Sequence, residues 1–159
     1  MTIVKDLAKM IDHSILQPTH TDEDLLTQCD VALKCDVATV CVKPYAVKTA
    51  VSKLIGSSVV VGCVIGFPHG NSSTRVKVFE AEQACLDGAK EIDMVINIGM
   101  TLGGDWDYVE NELKAVKDIC HRNDAILTVI FETDYVTRTE DKIRLCVICT
   151  RLGAALVKN

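Results

Sequence analysis

The sequence predicts an α/β protein of the (β/α)8 TIM-barrel type, incomplete, with about six βα units and the last two missing. Three observations lead there. Strand-like apolar runs begin at intervals of roughly 20–35 residues, always with a helical pattern between them, and such repetition demands a parallel sheet with right-handed crossovers. The first strand is followed by Gln17-Pro18-Thr19-His20, with no glycine, whereas an open doubly wound sheet carries a Gly-rich turn at that point. Six strands also fall short of the eight that a closed barrel spreads over typically ~250 residues. Residues 1–159 read as a single domain that lacks the C-terminal portion of such a barrel.

The elements follow in order. A short helix, Ile3 to Met10, leads into a strand around Ile11–Leu16. Asp22–Lys34 reads as a helix, with Thr21 as N-cap and acids in its first turn, where they complement the helix dipole. The strand Val37–Val42 is followed by a helix opened by Pro44, since proline fits the first turn. Val59–Ile65 is apolar throughout except for Gly62, as expected of a strand covered on both faces. Gly66-Phe67-Pro68-His69-Gly70 forms a loop, and Ser72 or Ser73 starts a helix that runs to Asp87 and stops at Gly88. Glu91–Asn97 is a strand, Trp106–Arg122 a helix, Ile126–Glu132 a strand and Thr139–Leu152 a helix ended by Gly153. Ala154–Lys158 is the last strand.

Bulk properties exclude several classes. A net charge of −5 without a basic cluster argues against a nucleic-acid surface. Apolar runs are strand-sized, short of the ~20 residues of a membrane span. The opening Met-Thr-Ile-Val-Lys-Asp has no apolar signal core, so a cytoplasmic location is expected. Of the eight cysteines, Cys41 and Cys63 lie inside strand runs and Cys29, Cys85, Cys120 and Cys146 on helical segments, which speaks against a disulfide framework and fits free thiols in a reducing compartment. Cys146 and Cys149 match C-x-x-C, but they lie mid-helix with no second pair, and metal or redox use is not expected.

Working residues of a barrel lie at the C-terminal ends of strands and point inward. Alternation along Glu91–Asn97 puts Asp93, Val95 and Asn97 on one face and Ile92, Met94 and Ile96 on the other, so the polar set reads as the inner face. An ionised Asp93 there costs several kcal/mol unless paired, and its role stays open between a structural hydrogen bond and a general acid/base. Lys158 alternates with Leu156 and Ala154 and can point the same way. A buried lysine has a depressed pKa and attacks carbonyls to form a Schiff base, while a lysine at a frayed strand end stays protonated at the surface.

Five segments carry a resemblance. Ile11-Asp12-His13-Ser14-Ile15-Leu16, Cys41-Val42-Lys43-Pro44, Val64-Ile65-Gly66-Phe67-Pro68-His69-Gly70, Glu91-Ile92-Asp93-Met94-Val95-Ile96-Asn97 and Gly153-Ala154-Ala155-Leu156-Val157-Lys158 resemble deoxyribose-phosphate aldolases in order and spacing, over the whole chain. The resemblance implies a (β/α)8 class I aldolase that reversibly cleaves 2-deoxy-D-ribose 5-phosphate to glyceraldehyde 3-phosphate and acetaldehyde. It implies no cofactor and no metal, a small phosphorylated sugar as partner, and a place in cytoplasmic deoxyribonucleotide and carbohydrate catabolism. The Schiff-base lysine falls on Lys158, the proton-shuttling aspartate on Asp93, and Asp12 and Cys41 match substrate-binding positions that line the site.

The sequence also departs from that pattern. A second active-site lysine and the glycine-rich phosphate loops after the last two strands have no counterpart here, and Leu127-Thr128-Val129-Ile130 carries threonine where the family carries an inward lysine. The Asn159 carboxylate and a frayed end are expected to raise the pKa of Lys158. The alternative reading is therefore a catalytically inactive, shortened family member that self-associates as a homo-oligomer through open barrel edges. Among lesser signals, His69 reads as a structural loop residue, His13 as a satisfied strand histidine and Trp106 as an anchor for its helix. Lys77 and Glu80 read as a solvated i,i+3 pair, and Gly103-Gly104 as a loop without the following residues of a phosphate loop.

Overall fold

The computed structural model describes residues 2–159. Seven helices and six strands follow one another along the described residues, with two helices between β4 and β5: α1 (Thr2–Ala8), β1 (Asp12–Ile15), α2 (Asp22–Cys35), β2 (Thr39–Val42), α3 (Val47–Leu54), β3 (Val60–Ile65), α4 (Thr74–Leu86), β4 (Glu91–Val95), α5 (Ile98–Leu102), α6 (Trp106–Arg122), β5 (Ile126–Ile130), α7 (Thr139–Leu152) and β6 (Leu156–Lys158). Pro44–Ala46 form a 3-10 turn before α3. All six strands are parallel and lie in sequence order, β1 to β6, as in a barrel wall. The sheet curls into an incomplete barrel, as expected.

Local chemistry accounts for the element ends. Thr21 and Asp24 form a reciprocal capping box: Asp24 N–H donates to Thr21 Oγ1 at 3.2 Å and Thr21 N–H donates to Asp24 Oδ2 at 2.8 Å. Such a cap contributes about 1 kcal/mol. Gly153, at φ 69°, ends α7 in the left-handed conformation that favours glycine. The short helix α5 has no counterpart in the sequence reading. It is nucleated by Asn97, whose side-chain oxygen accepts from Met100 N–H at 3.1 Å. Asn97 therefore lies past β4 as a helix cap rather than on the inner face of the strand.

The period-2 alternation sorts the sheet into two faces. Ile15, Val40, Val42, Val61, Cys63, Ile65, Ile92, Met94, Leu127 and Val129 all join one buried apolar cluster with the helices, including Leu113, Val116 and Leu145. Burying each such aliphatic side chain contributes about 1.5–3 kcal/mol, so slipping any strand by one residue would expose its core set. The opposite positions, Asp12, Thr39, Cys41, Glu91, Asp93, Thr128 and Lys158, are left to line the concave side.

One expectation is corrected. Lys77 is not half of a solvated pair with Glu80. It lies on the inward stripe of α4 with Ala81 and Ala84, fully buried, and pairs with Glu112 of α6. Glu80 instead accepts from the Gly66 backbone N–H at 2.8 Å. Trp106 packs against the core cluster as anticipated, with the Arg144 guanidinium of α7 over its ring, and His13 is satisfied by Gln28 at 2.9 Å. His69 is an exposed loop residue.

Candidate active site

Four strands bring their inner-face residues to one point. Lys158 Nζ, at the end of β6, donates to Asp12 Oδ2 of β1 at 2.6 Å and to Asp93 Oδ2 of β4. Cys41 Sγ of β2 donates to the same Asp93 oxygen at 3.1 Å. All four residues singled out in the sequence thus meet in one cluster. Lys158 and Asp12 are 146 residues apart in sequence, and only the curl of the sheet closes that gap.

The expected fraying of Lys158 does not occur. Its backbone carbonyl accepts from Phe131 N–H at 2.9 Å, and Asn159 Oδ1 accepts from Thr133 N–H at 2.6 Å, so β6 and the residue after it are tied to the loop that follows β5. The Lys158 side chain is 29% exposed. Its pKa is nevertheless raised, as anticipated, though by other groups. Burial is the largest influence and lowers it, but the Asp93 charge and hydrogen bonds to Asp12 and Asp93 together outweigh burial. These two carboxylates are the largest influences in that direction.

Asp93 shows the opposing effect. Complete burial pushes its pKa up, against the pull of Lys158 and the Cys41 thiol, to about 6. That value suits a group that must both take and give a proton near neutrality. Burial, reinforced by the Asp93 and Asp12 charges, pushes the Cys41 thiol far above its ordinary range, so it is a neutral donor and a poor nucleophile. Asp12, Cys41 and Asp93 place one ligand-type atom each within 4.8 Å of one another. Lys158 already bridges the two carboxylates of that set, and a protonated thiol is a weak metal ligand, so the donor chemistry is that of an ammonium site. One oxygen each of Asp12 and Asp93 is buried and accepts no hydrogen bond among the described residues.

Similarity to known proteins bears on the family and the fold. Residues 7–157 match the profile of the DeoC/LacD family aldolases. A deoxyribose-phosphate aldolase of Rhodopirellula baltica is 48% identical over 154 residues, which cover 97% of this chain and 64% of the relative. One from Thermococcus gammatolerans is 46% identical over 156 residues, covering 97% of this chain and 69% of the relative. Among solved structures, a candidate deoxyribose-phosphate aldolase of Coccidioides immitis superposes with a TM-score of 0.90 at 39% identity, covering 97% of this chain and 60% of that one.

The chain belongs to the DeoC/LacD aldolase family.

It spans about two thirds of the length of the curated family members it matches. At the mouth of the Lys158 cluster, a cleft of about 270 Å³ opens over Asp12, Ser14, Phe67, Glu132 and Lys158. A larger but shallower groove, about 570 Å³, runs along the outer face of α7 and is lined by no carboxylate. Lys43, from the Cys41-Val42-Lys43-Pro44 segment, ties the loop after β1 to the end of β2 by donating to the carbonyls of Gln17 and His20, each at 3.1 Å.

One residue near this cluster escaped the sequence reading. Glu91 lies on the inner face two positions before Asp93, buried, and accepts from Thr39 Oγ1 at 3.0 Å and Thr128 Oγ1 at 2.8 Å. Its charge contributes to the raised pKa of Asp93. Thr128, noted only for the lysine it replaces, supports this carboxylate from β5. The signal was available, because the alternation that placed Asp93 inward places Glu91 inward as well.

Proposed function

We propose that this chain carries the Schiff-base centre of a deoxyribose-phosphate aldolase, with Lys158 as nucleophile and Asp93 as acid/base. The observation that supports the reading is the Lys158 amine held against the completely buried Asp93 on the concave face of the sheet. A proton passed from the ammonium to Asp93 leaves a neutral amine, which adds to C1 of the open-chain sugar. Loss of water from that adduct, with Asp93 returning the proton, forms the imine. The imine withdraws electrons from the C2–C3 bond as the C3 hydroxyl loses its proton, releasing glyceraldehyde 3-phosphate and an enamine. Protonation of the enamine at C2 and hydrolysis release acetaldehyde and restore Lys158. Asp12 and Cys41 act as polar walls that orient the amine and the substrate. The setting this implies is cytoplasmic deoxyribonucleotide catabolism, with a phosphorylated sugar as substrate and a homo-oligomer as assembly.

The test is cyanoborohydride trapping with acetaldehyde, followed by mass spectrometry. A reduced two-carbon adduct on the peptide holding Lys158, absent in Lys158→Ala, is expected. Labelling spread over surface lysines, or none, overturns the reading.

A second reading, a family member with little turnover of its own, is favoured by a specific feature. The major influences on Lys158 among the described residues are burial, carboxylates and a thiol, with no cation to oppose its protonation. Single-turnover trapping on Lys158 without steady-state cleavage of 2-deoxyribose 5-phosphate would support this reading. Sustained turnover would remove it.

A further inference from the structure

The end of β4 is held from outside by a charged pair that the proposed chemistry does not use. Lys77 of α4 and Glu112 of α6 have side chains that are 0% and 1% exposed, and Lys77 Nζ donates to Glu112 Oε2 at 2.8 Å. The same ammonium donates to the Val95 carbonyl at 2.9 Å. Pairing between β3 and β4 ends at Ile65 and Met94, so Val95 lies one residue beyond the ladder. Lys77 supplies a donor there after β3 has turned away. Burial pushes the Glu112 carboxyl up, against the pull of Lys77, the Asn97 backbone N–H and the Tyr108 hydroxyl. The pair therefore engages the backbone at Val95, two residues after Asp93.

The loop after β3 is locked into the same unit. The Lys77 stem runs over Gly66, where an added Cβ would stand 2.8 Å from Lys77 Cε. Gly70, at φ 65°, lies against the Ile96 carbonyl, 1.7 Å from where its own Cβ would be. Loop 66–70, the exit of β4 and the two helices interlock behind Asp93.

Cohesion alone does not explain the charges. Two ions lose about as much on leaving water as their attraction returns, and an apolar pair of similar volume would join the helices at least as firmly. An apolar pair could not hydrogen-bond backbone groups past the end of the ladder. We infer that Lys77 and Glu112 are a positioning pair that fixes the exit of β4 and, through it, the carboxylate of Asp93 against Lys158. The inference rests on Asp93 being the acid/base group of the proposed reaction.

The test replaces both partners, Lys77→Met with Glu112→Leu, in the full chain. It reads thermal unfolding, the Asp93 13Cγ titration and the rate of imine trapping at Lys158 with acetaldehyde. Cooperative unfolding is expected to persist. The Asp93 midpoint is expected to fall by about one unit or more toward the ordinary value of ~3.9 as water reaches it, and trapping to slow by about tenfold or more. A folded double variant with unchanged Asp93 midpoint and trapping rate overturns the inference. Glu112→Gln, which keeps the size of the side chain and an acceptor oxygen, covers the case in which the double variant does not fold. A smaller displacement in the same direction supports the inference, and none overturns it. Absence of any trappable imine in the unmodified chain defeats the aldolase reading instead, because the Asp93 titration still reports on the pair.

Discussion

Asp93 and Lys158 are a buried acid and a partly buried base whose pKa values move in ways that can be measured. Burial raises Asp93 to about 6, so its 13Cγ resonance is expected to titrate near that pH; a midpoint below ~4.5, close to an unperturbed carboxylate, would show that water reaches it. The sign for stability follows from linkage. With the folded pKa above the unfolded value of ~3.9, the folded state binds the extra proton between roughly pH 4 and 6, and Asp93's contribution to stability falls as pH rises through that window. Lys158 is shifted the other way in charge terms. Its raised pKa contributes stability that is complete below the unfolded value of ~10.4 and lost as pH climbs through the folded value. Imine formation needs the free amine, so the trapping rate is expected to increase steadily with pH from 6 to 9. A rate that is flat above pH 7 would mean that Lys158 is already neutral there.

At the scale of elements, the loop between β3 and α4 shapes the mouth of the site. Gly66-Phe67-Pro68-His69-Gly70 reads as a loop in the sequence, and the structure shows why glycine ends it. Gly70 combines a left-handed φ of 65° with contact against the Ile96 carbonyl. Gly70→Ala is expected to destabilise the fold by ~3 kcal/mol or more, since strain and overpacking add. Urea unfolding measures this, and a loss under ~1 kcal/mol would mean that the loop can move off β4. The helices were legible from their caps, with Thr21 and Gly153 performing as anticipated. Lys77 was misread because the i,i+3 rule sees only one helix, whereas its partner Glu112 lies 35 residues away. Spacing held the clue: Glu112 falls on the buried stripe of α6 with Val109, Leu113 and Val116, and Lys77 on that of α4 with Ala81 and Ala84.

At the scale of the molecule, six parallel strands leave β1 and β6 each paired on one side only among the described residues. Unpaired strand edges recruit further strands, so the purified chain is expected to elute from a sizing column as a concentration-dependent oligomer. A single monomer peak across a hundredfold range of concentration would count against that. The outer face of α7 adds exposed Ile143 and Val147 to the sticky surface. Among the described residues, no helix is long and apolar enough to cross a membrane.

The order of elements, the direction of the sheet and the face on which Asp93 and Lys158 lie were all determined by the sequence alone. Each depends on a local period, two residues for a strand and 3.6 for a helix, that any stretch of the chain displays by itself. Tertiary structure alone decided that Lys158 reaches Asp12, that Glu91 is held between Thr39 and Thr128, and that Lys77 is buried with Glu112. Those contacts depend on the curvature of the sheet and on how closely α4 and α6 pack. Pairing energies between charges fall with distance and rise with burial, and neither quantity exists until the distant segments have come together.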